Sequence, residues 1–341
     1  MKAIKSFADE QASAKTLNAR VPVWTDEAFA FSVSNLDYLS SEHSRTPFAT
    51  ALPGHGLGRA GVHDVLLVDL SHTIDLGLSS LKIANTESAT TVSSTGTVLS
   101  TYTSGKDSVA DQNEYNVTIS FKGTWTSDLQ QAFIAAADRI SGIIADDVNN
   151  VTVHGGGKPV KVDDIVITAE LKPIDGVGNV LGQAGPTAIR STSYLPASAT
   201  MQFDSADAQY YAGQHLWDEI VLHEMLHSIG FGSIWGYKAL VSNGSYTGAH
   251  ALAEYDSYMD GKPSGSGIPL ETGGGSGTAG SHWSETVFKN ELMTGYLNDP
   301  NGADPKEIPN ADPLSSMSVA SLWDLGYGMR SVTGYDPYIL V

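Results

Sequence analysis

The stretch His223-Glu224-Met225-Leu226-His227 decides how the rest of the chain is read. On an α-helix, residues four apart lie one above the other, about 6 Å along the axis, so the rings of His223 and His227 share a face. Two imidazoles so placed both reach a single zinc ion at roughly 2.0–2.1 Å. Glu224 is rotated about 100° around the axis, so it misses the metal and reaches a water on it, where a general base belongs. Leu216, Ile220, Met225, Leu226 and Ile229 supply a buried face, and the helix is expected from Leu216 to Ile229. Gly230 ends it. A glycine there can adopt φ > 0 and turn the chain sharply, which a third ligand from outside the helix requires. A surface helix that happens to carry two histidines and a glutamate is the competing reading of these five residues.

Upstream, the patterns describe a sheet and a second helix. Val117, Ile119 and Phe121 alternate on one face of a strand over Asn116 to Phe121. Ser127-Asp128-Leu129-Gln130 has the form of a capping box. Leu129, Phe133, Ala136, Ile140, Ile143 and Ile144 then recur at helical spacing to about Asp147. Val162 to Leu171 reads as a second strand, Asp175 to Gly185 as a glycine-rich loop, and Tyr194 to Asp204 as a third extended stretch. In that stretch Ala199, Met201 and Phe203 share a face opposite Thr200, Gln202 and Asp204. A short helix is expected near Ala251 to Tyr258. Residues 1–112 form an N-terminal extension, either a pro-segment or an accessory subdomain. It carries the glycine-rich Pro53 to Gly58, a strand near Val65 to Leu70 and a polar Ser/Thr run from Ser88 to Ser108. Residues 113–230 then form one catalytic half and 231–341 the other.

Composition narrows the partners. The net charge of −19 argues against nucleic acid or an anionic membrane surface. With no cysteine, disulfides, thiolate metal sites and a cysteine nucleophile are all excluded. The apolar runs are too short to span a bilayer, and Met1 to Arg20 lacks the apolar core of a signal peptide.

His227 is followed by Ser228, Ile229 and Gly230, which completes His-Glu-x-x-His-x-x-Gly, the form of the metzincin metallopeptidases. Most of them place the third ligand three residues beyond that glycine, where this chain has Ser233. Downstream, Gly280-Ser281-His282-Trp283 and Asn290-Glu291-Leu292-Met293-Thr294-Gly295 resemble the third-ligand and Met-turn segments of leishmanolysin, a family with a long insertion at that point. Ser318-Val319-Ala320-Ser321-Leu322-Trp323-Asp324-Leu325-Gly326-Tyr327 resembles its closing helix. The similarity covers roughly residues 113 to 330 and is nearer the bacterial members than the disulfide-rich protozoan ones.

The resemblance implies an α+β fold with a mixed twisted sheet, a backing helix, an active-site helix, an irregular C-terminal half and a shallow cleft between the halves. It implies one catalytic zinc on His223, His227 and His282, with Met293 as an apolar floor, Gly230 as structural support and Glu224 as the catalytic base. His250 is the rival third ligand, but no Met-turn follows it at the family spacing. It further implies a protease that binds protein or peptide substrates as an added strand along an exposed sheet edge. Ala199, Thr200, Met201 and Gln202 are the candidate edge. Some metzincins use a tyrosine two residues past the methionine; Gly295 stands there, with Tyr296 one later. A non-catalytic zinc-binding adhesion or interaction module is the alternative to an enzyme. The Asp336-Pro337-Tyr338-Ile339-Leu340-Val341 tail resembles those of proteins exported without an N-terminal signal, which makes an extracellular location the expectation. Asp299 to Asp304 offers carboxylates to calcium but lacks EF-hand spacing, so no calcium site is assigned there. The remaining histidines, His43, His55, His63, His72, His154 and His215, read as surface or structural residues.

Overall fold

The computed structural model describes residues 97–340 except 107, 155–158, 177–179, 215, 260–264, 266, 276 and 299–311, together with two short strands at 20–22 and 65–67. The Pro53 to Gly58 stretch, the Asp299 to Asp304 loop and His43, His55, His63, His72 and His215 lie outside the described residues.

In chain order the elements begin with β1 (Arg20–Pro22), β2 (Val65–Leu67), β3 (Thr101–Thr103), β4 (Val117–Lys122) and α1 (Ser127–Ile143). Then come β5 (Val151–Val153), β6 (Val160–Val162), β7 (Ile165–Lys172), β8 (Gly182–Arg190), β9 (Pro196–Asp204), α2 (Ser205–Gly213) and α3 (Trp217–Ser228). The C-terminal half holds β10 (Val241–Ser242), β11 (Ser245–Tyr246), α4 (Ala249–Tyr258), β12 (Ile268–Pro269), α5 (Glu285–Phe288), β13 (Tyr296–Asn298) and α6 (Ser316–Leu325).

The fold is mixed α+β. One six-stranded sheet runs in the order β2-β8-β9-β7-β4-β3. Its centre, β4, β7 and β9, is parallel, and β3, β8 and β2 are antiparallel to their neighbours. Parallel strands are buried on both faces, which explains the unbroken Ile165-Val166-Ile167. Ile165 and Ile167 pack into the main core beneath α1 and α3, while Val166 joins Val151, Val153, Val162, Ala188 and Ala197 under the β5–β6 hairpin. The helical face is locked by edge-to-face aromatic contacts. Phe133 of α1 meets Phe203 of β9 at 5.4 Å between centroids, and Trp217 of α3 meets Phe203 at 4.9 Å. Each such ring contributes roughly 1.5–3 kcal/mol by burial, and the ring pairs about 0.5–1.5 kcal/mol more. Trp217 also donates its indole N–H to the Leu129 carbonyl at 3.0 Å, tying α3 to α1.

Several elements differ from their sequence reading, each for a tertiary reason. Thr126, one residue before the expected Ser127, caps α1 by accepting from the Leu129 amide. Gln130, the other half of the expected box, instead bonds both main-chain groups of Leu99 and fastens the segment that leads into β3. The helix ends at Ile143 rather than near Asp147 because Ile144 is extended. The expected strand over Val162 to Leu171 is broken at Asp163-Asp164, where the Asp164 carboxylate accepts the amides of Asn116 and Val148. The glycine-rich loop expected up to Gly185 contains the start of β8. β9 is hydrogen-bonded on both sides, so Ala199, Thr200, Met201 and Gln202 are not an edge. Gln202 instead bonds Gln183 on one neighbour and Glu170 on the other. β8 lies outside β9. β2 covers it only from Ala188 to Arg190, and among the described residues Gly182 to Thr187 has no strand on its outer side. Pro186 stands at a β-bulge, where the register with β9 shifts between Pro186 and Ala188 and a missing N–H is tolerated.

Two extension segments join this framework: β2 on β8 and β1 antiparallel to β13. At the other end, the C-terminal tail docks through Asp336, which ion-pairs with Arg139 at 3.0 Å, and Tyr338, which donates to the Phe288 carbonyl. Ile339 is left 80% exposed. No helix among the described residues is long and apolar enough to cross a membrane.

Asp204 joins the sheet to the turn that leads into β8. One carboxylate oxygen accepts the amides of Ile174, Asp175 and Gly176 at 2.8–2.9 Å, and the other caps α2 at Ala206. Burial alone would raise its pKa, but the four amides outweigh it and hold the carboxyl below its ordinary value. A depressed folded-state pKa means stability that is present at neutral pH and lost as pH falls through that value. Asp204→Ala is expected to lower the unfolding free energy by about 1–3 kcal/mol at pH 7. In urea titrations the gap from wild type should close as the pH drops below about 4.

Candidate metal centre

Helix α3 starts at Trp217 and carries His223, Glu224 and His227 as the five-residue spacing requires. Its C-terminus is built by Gly230, whose φ of 118° no ordinary side chain accepts comfortably. The Phe231 amide bonds back to the Leu226 carbonyl and the Gly230 amide to the His227 carbonyl, the pair of bonds of a Schellman turn. This turn carries the Phe231 carbonyl back to the helix, where it accepts from His227 Nδ1 at 2.8 Å. Ser233, where a metzincin third ligand would be expected, donates its hydroxyl to the His227 carbonyl.

The chain then returns with His282. Its Nε2 lies 3.0 Å from Nε2 of His227 and 3.3 Å from Nε2 of His223, and the two helical histidines are themselves 3.0 Å apart. Nδ1 of His223 faces the Leu292 carbonyl at 2.6 Å, and Nδ1 of His282 faces the Thr278 carbonyl at 3.1 Å. A carbonyl only accepts, so each Nδ1 carries the proton and each Nε2 presents a lone pair. Burial pushes all three rings well below the ordinary histidine pKa, His282 to about 3, so they are neutral. Three lone pairs converging in a buried site repel unless a cation lies among them. Ligands about 2.0–2.1 Å from a tetrahedral zinc stand roughly 3.3 Å apart, close to the spacing seen. The buried His223, His227 and His282 can hold a metal ion, and their donor set fits one.

Glu224 is wholly buried, and neither carboxylate oxygen has a hydrogen-bond partner among the described residues. Burial raises its pKa well above the usual carboxylate range. Gly182, at the start of β8, makes room for it: a Cβ there would stand 2.6 Å from Glu224 Oε1. The sequence gives no sign of this contact.

The other candidate residues fall out as follows. Met293 is buried, and its carbonyl accepts from the Trp283 amide. Trp283 is an anchor between the His282 segment and α6, donating to Ser318 Oγ at 2.7 Å. His250 is exposed on α4 and stacks on Trp323 at 4.2 Å, apart from the three converging rings. Asp147, Asp163 and Asp164 gather a second set of carboxylates, of which Asp164 is committed to two amides. All three candidate ligands are buried, with His223 the most accessible at 3%. A small cavity of about 10 Å³, room for roughly one water, adjoins His223, lined by Glu219, Ile220, Leu292, Tyr296, Leu297 and Asp312. Sequence reasoning missed the acceptors at Leu292, Phe231 and Thr278 because every residue carries a carbonyl.

Compared with protein-family models and with curated proteins, the sequence matches none. The functional reading therefore rests on geometry and chemistry.

Metal analysis of the purified protein is expected to find about one equivalent of transition metal per chain, and His282→Ala to lose it while remaining folded by circular dichroism. Full occupancy in His282→Ala would break the three-ring assignment.

Proposed function

We propose that this chain is a zinc-dependent endopeptidase of the metzincin type, similar to the leishmanolysins, with His223, His227 and His282 holding the metal and Glu224 as general base. The observation that carries the reading is the convergence of three buried Nε2 atoms at the helix that carries a buried glutamate with no hydrogen-bond partner among the described residues. Three neutral nitrogen donors in near-tetrahedral spacing, with no thiolate available, suit zinc. A zinc ion held there supplies Lewis acidity, lowering the pKa of water and polarising a peptide carbonyl.

The chain's own residues do the rest. Glu224 accepts a proton from the attacking water and delivers it to the nitrogen of the departing amine. Its desolvated carboxylate is a stronger base than an exposed one, so it can hold the proton between the two transfers. The three carbonyl acceptors keep each ring in one tautomer and orientation, which fixes the ligands without a side-chain partner. The outer side of β8 from Gly182 to Thr187, which has no partner strand among the described residues and starts against Glu224, takes the role assigned above to β9. An extended peptide pairing there is read through its main chain, which favours broad sequence tolerance. A non-catalytic zinc module would have no use for a buried carboxylate kept free of partners, and this disfavours the alternative.

Casein hydrolysis is expected to fall by roughly 10²–10⁴-fold in Glu224→Gln at matched zinc content. Equal rates in the two proteins would remove the mechanism. Chelation should abolish wild-type activity and added zinc restore it. Gly182→Ala places a methyl group against the base, so we expect bound zinc to be retained and kcat to drop by roughly tenfold or more. Unchanged kcat in that variant would show that the carboxylate is not held where it is needed.

A further inference from the structure

Glu291 is a fully buried carboxylate two residues before Met293, and it is the most heavily bonded acid near the centre. Oε1 accepts from the Ser315 amide at 3.0 Å, from the Ser315 hydroxyl at 2.6 Å and from the Ser318 hydroxyl. Oε2 accepts from the Met293 amide at 2.6 Å. Among the described residues no lysine or arginine ion-pairs with it. Four donors aimed at its two oxygens suit the ionised carboxylate, an acceptor only, while burial acts against them and raises its pKa. Burying such a charge is costly unless something nearby gains from it.

What its bonds hold is the surroundings of two ligands. The Met293 N–H belongs to the same planar peptide unit as the Leu292 carbonyl, which orients His223. On the other oxygen, Ser318 relays to the indole N–H of Trp283, the residue after His282. The Trp283 amide returns to the Met293 carbonyl and closes the ring of contacts. One side chain therefore braces the acceptor of His223, the strand-like segment that presents His282, and the N-terminus of α6. Three neutral imidazoles also leave a divalent ion's charge uncompensated, which makes an unpaired buried anion nearby electrostatically useful.

Building on the metal-centre reading, we infer that Glu291 is a positioning residue for the metal site, setting its affinity and ligand geometry through Leu292 and Trp283. The test compares wild type, Glu291→Gln and Ser318→Ala. It measures zinc affinity by competition with a chromophoric chelator and the visible absorption of the cobalt-substituted proteins, with apo-protein melting recorded alongside. Glu291→Gln keeps the shape but turns an amide N–H₂ toward a donor. It is expected to weaken zinc binding by roughly 10–100-fold and to shift the cobalt bands. Ser318→Ala leaves the Met293 bond in place and should shift the bands with a smaller loss of affinity. A lower melting temperature in Glu291→Gln, with affinity and cobalt spectrum both matching wild type, would make Glu291 purely structural and overturn the inference. Should Glu291→Gln not fold, Ser318→Ala decides by the same two readouts. Wild type that binds no zinc would instead overturn the metal-centre reading and this inference with it.

Discussion

Three nitrogen lone pairs that meet in a low-dielectric interior repel one another unless a cation lies between them, and this chain brings them together from segments far apart in sequence. His227 and His282 are separated by 55 positions yet stand 3.0 Å apart at Nε2. Helix geometry can align only the first two rings. The third depends on the Schellman turn at Gly230 and on the bracing between the His282 segment, the Leu292-Met293 turn and α6. Loss of any one brace leaves imidazoles free to rotate away, because the repulsion itself favours dispersal.

The sheet enters this constraint through a single close approach. Phe203 and Trp217 wedge α3 against β9, and that sets the depth at which Glu224 meets the outer strand. β8 accommodates the carboxylate by having no side chain at position 182. Backing core and reactive group are thus positioned by the same contact surface, so packing changes beneath α3 move the base as well as the helix.

Much of this was legible in the sequence. The repeat in α1 and the His-Glu-x-x-His stretch in α3 gave both helices, and Gly230 gave the end of the second. Other features depended on neighbours that no local pattern names. Gly182, Gly185 and Pro186 argue against a strand on propensity, yet β8 forms because a buried glutamate needs the glycine at 182 and a register shift accommodates Pro186. β9 precedes α3 directly, which made it look like the edge, whereas strand order is fixed by the chain that crosses outside it. Thr126 and Ser127 are both good caps, and the role falls to Thr126 because Gln130, the box partner of Ser127, is recruited by Leu99. His282 came from a resemblance of short segments, and its place beside His223 and His227 was seen only in three dimensions.

The acceptors that orient the three rings belong to the main chain at Phe231, Thr278 and Leu292. A side chain can be exchanged at any of these positions without deleting the oxygen that matters. Ligand orientation here is accordingly inherited through backbone path rather than residue identity. Two proteins could diverge freely at such positions and keep the same coordination geometry, leaving little for an alignment to register beyond the rings themselves.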